Sequence, residues 1–271
     1  MLTILIMLAA AYATVIALMY GLQRILLYHP SRRIEEVASY ALTGFEDHSA
    51  LTADNKRIHL WYFPAKPGFP TILYFHGNAF HMGGRAPIYR ALAAKGFGML
   101  AVSYRGYGKS EGSPTEQGLY IDARTAMGFL KDKGIGPQQI MLYGESLGTG
   151  VATQMATEFP VGALILQSPY TAVEDRAAEL YRFIPVRRLI KDKFRSIDKI
   201  GQVKSPLLLF HGELDDTIPV AHGRAMLQAA NEPKQGYFLS DTNHNDFDSA
   251  LLSEHVLTFA RKYGLIGELV K

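Results

Sequence analysis

Six short apolar runs constrain this chain more than any other feature. They cover residues 71–75, 98–103, 140–143, 163–166, 206–210 and 236–239, and each leads into a turn carrying glycine, serine, histidine or asparagine. A strand with one face in water alternates apolar and polar residues; these runs do not, so both faces are buried. Helix-length segments separate them, at about 83–95, 115–133, 146–158, 171–193, 220–231 and 247–263. The pattern predicts an α/β chain with a mostly parallel central sheet covered by helices on both faces. Residues 59–63, stopped by Pro64, read as an earlier antiparallel strand, and Ser113-Pro114 reads as the start of the second helix. No repeat or linker divides residues 29–271, which are expected to form one domain. In such sheets chemistry collects at the carboxyl ends of the strands.

With 48% hydrophobic and 20% charged residues, the chain has the composition of a folded protein. A net charge of +3, with no accompanying motif, gives no footprint for nucleic acid. The absence of cysteine rules out disulfides, cysteine–zinc sites and a cysteine nucleophile. Nothing in the sequence specifies an oligomer.

Residues 1–23 carry no charged side chain, and a helix needs about 20 apolar residues to cross a bilayer. A buried core helix would show a polar stripe, and none is present. A cleaved signal peptide is the other alternative, with Ala11-Tyr12-Ala13 as a small-x-small site. The missing basic n-region and the apolar run through Leu22 favour a retained transmembrane anchor over residues 1–28. Arg24, Arg32 and Arg33 follow the segment and no basic residue precedes it, which places the following domain on the cytoplasmic side of a membrane. Tyr20 and Tyr28 are expected at the membrane interface.

Gly144-Glu145-Ser146-Leu147-Gly148 follows an apolar run and precedes a helix, the setting in which G-x-S-x-G presents a serine nucleophile on a sharp turn. The helix N-terminus behind it would aim amides at developing negative charge. Serine needs a base, and the base needs a group to fix its tautomer. In the chain order serine, acid, histidine, the candidates are Asp215, with Asp216 as rival, and His244. Asp216 suits a turn-capping role better. His211 and His222 lie too near the acidic loop, and His255 reads as a surface helix residue. Asp246 and Asp248 are expected to start the last helix. For the oxyanion hole, the amide of Leu147 is one donor, and Asn78 the other, with Ala79 as alternative. His76, upstream of the serine, is expected to support that loop by hydrogen bonds.

Phe75-His76-Gly77-Asn78-Ala79, Tyr104-Arg105-Gly106-Tyr107-Gly108-Lys109-Ser110, Gly112-Ser113-Pro114, Gly144 to Gly148, His211-Gly212-Glu213-Leu214-Asp215 and Asn243-His244-Asn245-Asp246 occur in this order. Together they resemble the bud-emergence-type α/β hydrolases, over about residues 29–263. The group includes membrane-anchored serine hydrolases and the abhydrolase-domain depalmitoylases. The resemblance implies the α/β-hydrolase fold, a triad of Ser146, Asp215 and His244, hydrolysis of a small or lipid-like ester or thioester, and no cofactor or metal. The chain departs from the pattern at Ser103, where the group often has aspartate, and at Phe80, where it usually has glycine. The first is expected to alter loop support, the second the acyl side of the pocket. The cysteine-rich N-terminus of the vertebrate depalmitoylases is absent.

Residues 171–205 form a long connection in which Leu180, Tyr181, Phe183, Ile184, Val186, Leu189, Ile190 and Phe194 alternate with six arginines and lysines. The expectation is a helical cap over an acyl pocket, with the basic residues toward anionic headgroups; the plainer reading is an amphipathic helix pair with a solvated face. A peptidase, or a non-catalytic scaffold on the same fold, are the rival functions.

Overall fold

The computed structural model describes residues 1–267; residues 268–271 of the expected domain lie outside them. The chain opens with helix α1 (Leu2–Leu27), long and apolar enough to cross a membrane. Next come β1 (His29–Pro30), β2 (Glu46–Leu51), β3 (Arg57–Phe63), β4 (Thr71–Phe75), β5 (Ala79–Phe80), α2 (Ala86–Lys95) and β6 (Gly98–Ser103). After α3 (Glu116–Asp132) come β7 (Ile140–Glu145), α4 (Leu147–Glu158) and β8 (Ala163–Gln167). Three short helices, α5 (Val173–Leu180), α6 (Val186–Leu189) and α7 (Ile197–Ile200), lead to β9 (Leu207–Gly212), α8 (Val220–Ala229), β10 (Lys234–Leu239) and α9 (Ser249–Lys262).

Eight strands form one sheet in the order β10-β9-β8-β7-β4-β6-β3-β2. β10 through β6 run parallel, and β3 and β2 add antiparallel at one edge. All six apolar runs became strands of this sheet. Their side chains alternate between two cores, as a pleated strand requires. Leu73 and Phe75 pack with α3 and α4 on one face; Ile72 and Tyr74 pack with α2 and α9 on the other. The chain leaves β4 toward β6 on one side and returns to β7 on the other. At that reversal the loops after β4 and β7 diverge and open a crevice.

Several local expectations need correction. The edge strand β2 was not expected; its alternating half-exposed pattern contains no apolar run. Helix α3 begins at Glu116 with Thr115 as its cap, accepting from the Gly118 amide at 2.9 Å, so Ser113-Pro114 precedes the cap rather than forming it. Asp248 caps α9, accepting from Ala250 and Leu251, and Asp246 does not. The single helix expected over 171–193 is two, α5 and α6, parted where Pro185 cannot continue a helix. Tyr28 is 3% exposed and packs in the domain core, so it is not an interfacial anchor. Tyr20 remains exposed.

Candidate active site

Ser146 is the one residue between β7 and α4, with φ 50° and ψ −117°, a backbone region an L residue rarely occupies. The flanking glycines make the turn possible. A Cβ on Gly148 would fall 2.0 Å from the Phe75 carbonyl oxygen, and one on Gly144 2.5 Å from that of Gly148. Strand, helix and neighbouring β4 therefore meet backbone to backbone. Beside the serine, buried Glu145 accepts from Tyr74 Oη at 2.7 Å and pairs with Arg85 at 2.5 Å. Burial alone would raise the Glu145 carboxyl, but the charge and hydrogen bonds of Arg85 and the Tyr74 hydroxyl bring it below its ordinary value.

Ser146 Oγ lies 3.0 Å from His244 Nε2, and His244 Nδ1 lies 2.8 Å from Asp215 Oδ2. The three come from the ends of β7, β9 and β10, the order read in the sequence. Asp215 has no exposed side-chain surface. Its Oδ1 accepts from the amides of Thr217 and Ile218 at 3.0 and 2.7 Å, leaving Oδ2 for the histidine. Burial acts to raise this carboxyl, yet His211, His244 and the Ile218 amide hold it well below the usual carboxylate range. An ionised Asp215 keeps the proton on Nδ1 and turns the Nε2 lone pair toward Ser146. The turn-capping role expected of Asp216 thus belongs to Asp215; Asp216 is exposed, and among the described residues its carboxylate meets only Thr217. Asn243, which sequence reasoning passed over, accepts from the amides of His244 and Asp216 at 2.6 and 3.2 Å and ties the two loops together.

Of the other histidines, His211 donates from Nε2 to the Ile218 carbonyl at 2.8 Å and lies under Asp215, and His222 meets Thr171 and Glu179. His255 is half-buried against Tyr237 rather than a free surface residue.

Asn78 and Leu147 line the same cavity as Ser146. Neither of their amides donates to an acceptor among the described residues. Asn78 is clamped: its carbonyl accepts from Tyr107 Oη at 2.7 Å and from the His29 amide at 2.9 Å, and its side chain donates to the Leu27 carbonyl at 2.8 Å. Tyr104 Oη donates to the His76 carbonyl at 3.1 Å. The tyrosines of the Tyr104 to Ser110 motif therefore hold this loop, a role that sequence reasoning missed. His76 Nδ1 lies 2.7 Å from the Gly77 carbonyl, and burial pushes the imidazole down to about 4, so it is neutral at pH 7. Ala79, the alternative donor, pairs with His29 in β1. Ser103 does support its loop, donating to the Tyr107 carbonyl at 3.1 Å. Phe80 does not face the acyl side of the pocket: it is 67% exposed and absent from the cavity lining.

The cavity at Ser146 has a volume of about 260 Å³. The segment over 171–205 supplies Leu180, Tyr181, Ile184, Val186, Leu189 and Ile190 to its walls, while Phe194 is buried and Phe183 exposed. Arg187 pairs with Asp175, and Lys193 and Arg195 pair with Glu174, so these three charges are engaged within the protein.

Comparison with known proteins agrees with this architecture. The family model described as serine aminopeptidase, S33, matches residues 69–197. An uncharacterized protein of Mycobacterium tuberculosis is 35% identical over 260 residues, covering 94% of this chain and 92% of its own. Human alpha/beta hydrolase domain-containing protein 17B is 31% identical over 228 residues, covering 81% of this chain and 76% of its own. The lysophosphatidylserine lipase of Danio rerio is 33% identical over 195 residues, 64% of this chain and 51% of its own. Among solved structures, a Pyrococcus furiosus esterase superposes with TM-score 0.71 at 19% identity, covering 87% of this chain and 99% of its own. A bacterial membrane phospholipase A superposes with TM-score 0.63 at 16% identity, covering 97% of each chain. The fold is the α/β-hydrolase fold, preceded by an apolar helix.

Proposed function

Because the chain belongs to the α/β-hydrolase-domain family, we propose that it hydrolyses carboxylic esters or thioesters of acyl, lipid-like substrates through an acyl-enzyme on Ser146. The observation that carries this reading is the relay of 3.0 Å from Ser146 to His244 and 2.8 Å from His244 to Asp215. Ser146 Oγ attacks the acyl carbonyl while His244 Nε2 takes its proton. Asp215 stabilises the imidazolium that results. The amides of Asn78 and Leu147 hold the oxyanion of the tetrahedral intermediate. His244 gives its proton to the leaving oxygen or sulfur, then takes one from the water that releases the acid.

The apolar cavity and the lipase and phospholipase among the similar proteins favour acyl substrates. The ordered motifs favour, in our reading, the bud-emergence type. We assign residues 1–28 as a retained membrane anchor and 29–271 as the hydrolase domain, with a cap over 171–205. The basic residues that follow α1 favour a domain facing the cytoplasm.

The test is turnover of a panel of oxygen esters, thioesters and matched amides by purified full-length protein, beside Ser146→Ala. Ester or thioester cleavage that Ser146→Ala abolishes is expected. Preference for the amides would make it a peptidase, and no turnover of any substrate would make it a scaffold.

A further inference from the structure

One side of the cavity at Ser146 is α1 itself. Met19, Tyr20, Gln23, Leu26 and Leu27 line it. Ile16, Met19, Gln23 and Leu27 are the sheltered positions of the otherwise exposed helix, and their spacing of three and four marks a single face. That face is tied to the cap along its length. Gln23 Oε1 accepts from the Lys191 amide at 2.7 Å, Arg24 pairs with Asp192 at 2.8 Å, and Tyr12 Oη donates to the Phe183 carbonyl at 2.5 Å.

The Tyr12 contact has a geometric consequence. Tyr12 lies about 22 Å along the helix from Leu27, and the stretch from Leu2 to Tyr12 spans only about 15 Å, half of a hydrocarbon core of about 30 Å. Whatever depth Tyr12 reaches in a bilayer, the cap tip reaches with it. The tip is suited to that: Leu180 is 59% exposed, Tyr181 40% and Phe183 88%. At the other end, the Leu27 carbonyl accepts from the Asn78 side chain beside Ser146, just past Arg24, the one charged residue of the helix. The nucleophile therefore lies beside the polar end of α1.

We propose that α1 and the cap tip enter the membrane together, and that the cavity between them opens into the hydrocarbon layer and takes the acyl chain of a bilayer-resident ester. Helix α1 is then a specificity-determining wall as well as an anchor. A chain that slides from lipid into this cavity never exposes its methylenes to water, which any route through solvent would require. The inference rests on the hydrolase reading above.

The experiment uses full-length protein in detergent and in phosphatidylcholine vesicles. Met19→Trp and Leu26→Trp each put an indole into the cavity; Leu5→Trp adds one to α1 outside it. The ratio of dodecanoyl to butanoyl p-nitrophenyl ester turnover is expected to fall by about tenfold in both cavity variants and to stay at the wild-type value in Leu5→Trp. Phe183→Asp is expected to lower turnover of a long-chain ester in vesicles relative to the same ester in micelles. An unchanged ratio in both cavity variants, or equal loss of both esters, overturns the proposal. Loss of all ester turnover in the wild type, or its survival in Ser146→Ala, strikes the hydrolase reading instead.

Discussion

The two oxygens of Asp215 have separate duties: Oδ1 closes the turn after β9, and Oδ2 faces His244. Asp215→Asn can keep the first and spoil the second, since an amide in place of Oδ2 favours the wrong imidazole tautomer. A kcat lower by about 10⁴-fold, with unfolding temperature nearly unchanged, is expected. His76 makes a stability prediction. Burial holds its folded imidazole at about 4, against about 6.5 in an unfolded chain, so between those values the unfolded state alone takes the proton. The contribution is fully present above pH 6.5 and is lost as pH falls toward 4, by up to about 3 kcal/mol. Urea midpoints measured across that range should fall less steeply for His76→Gln. The meeting of Ser146, Asp215 and His244 was legible because strand ends and chain order leave few residues that could come together there. Tyr104 and Tyr107 were not, because a loop tyrosine does not announce which carbonyl it will hold. Tyr28 was misread because an amphipathic ring near a helix end suits an interface and a core equally well.

Among the elements, the loop after β6 is held by charge. Arg105 forks onto Asp122, which has no exposed side chain, and onto Asp54, with shortest distances of 2.8 Å to each. Arg105→Met would leave the buried Asp122 uncompensated, and a loss of about 3–5 kcal/mol is expected in urea unfolding. The same loop carries Tyr107, so Tyr107→Phe is expected to lower kcat more than it changes KM, by loosening Asn78. The apolar runs were readable as strands because burial on both faces removes the polar alternation. β2 was invisible because its sequence, Glu46 to Leu51, opens with four polar residues and shows neither an apolar run nor an apolar–polar alternation. The split between α5 and α6 had a visible signal in Pro185, outweighed by the apolar periodicity on either side.

At the scale of the whole molecule, hydropathy reports that α1 avoids water without saying what it meets instead. The structure gives part of the answer, with one face on the cap and the remainder exposed. A domain tethered on the cytoplasmic side is expected to stay in the membrane pellet through alkaline carbonate, and to be digested by added protease in inverted vesicles but spared in right-side-out ones. Activation of Ser146 as a nucleophile by His244 and Asp215 can be read out by labelling the full-length protein with a fluorophosphonate and mapping the adduct by mass spectrometry. A single adduct on Ser146, absent from Ser146→Ala and strongly slowed in His244→Ala, is the predicted result. An adduct on another residue, or undiminished labelling of Ser146→Ala, would contradict it.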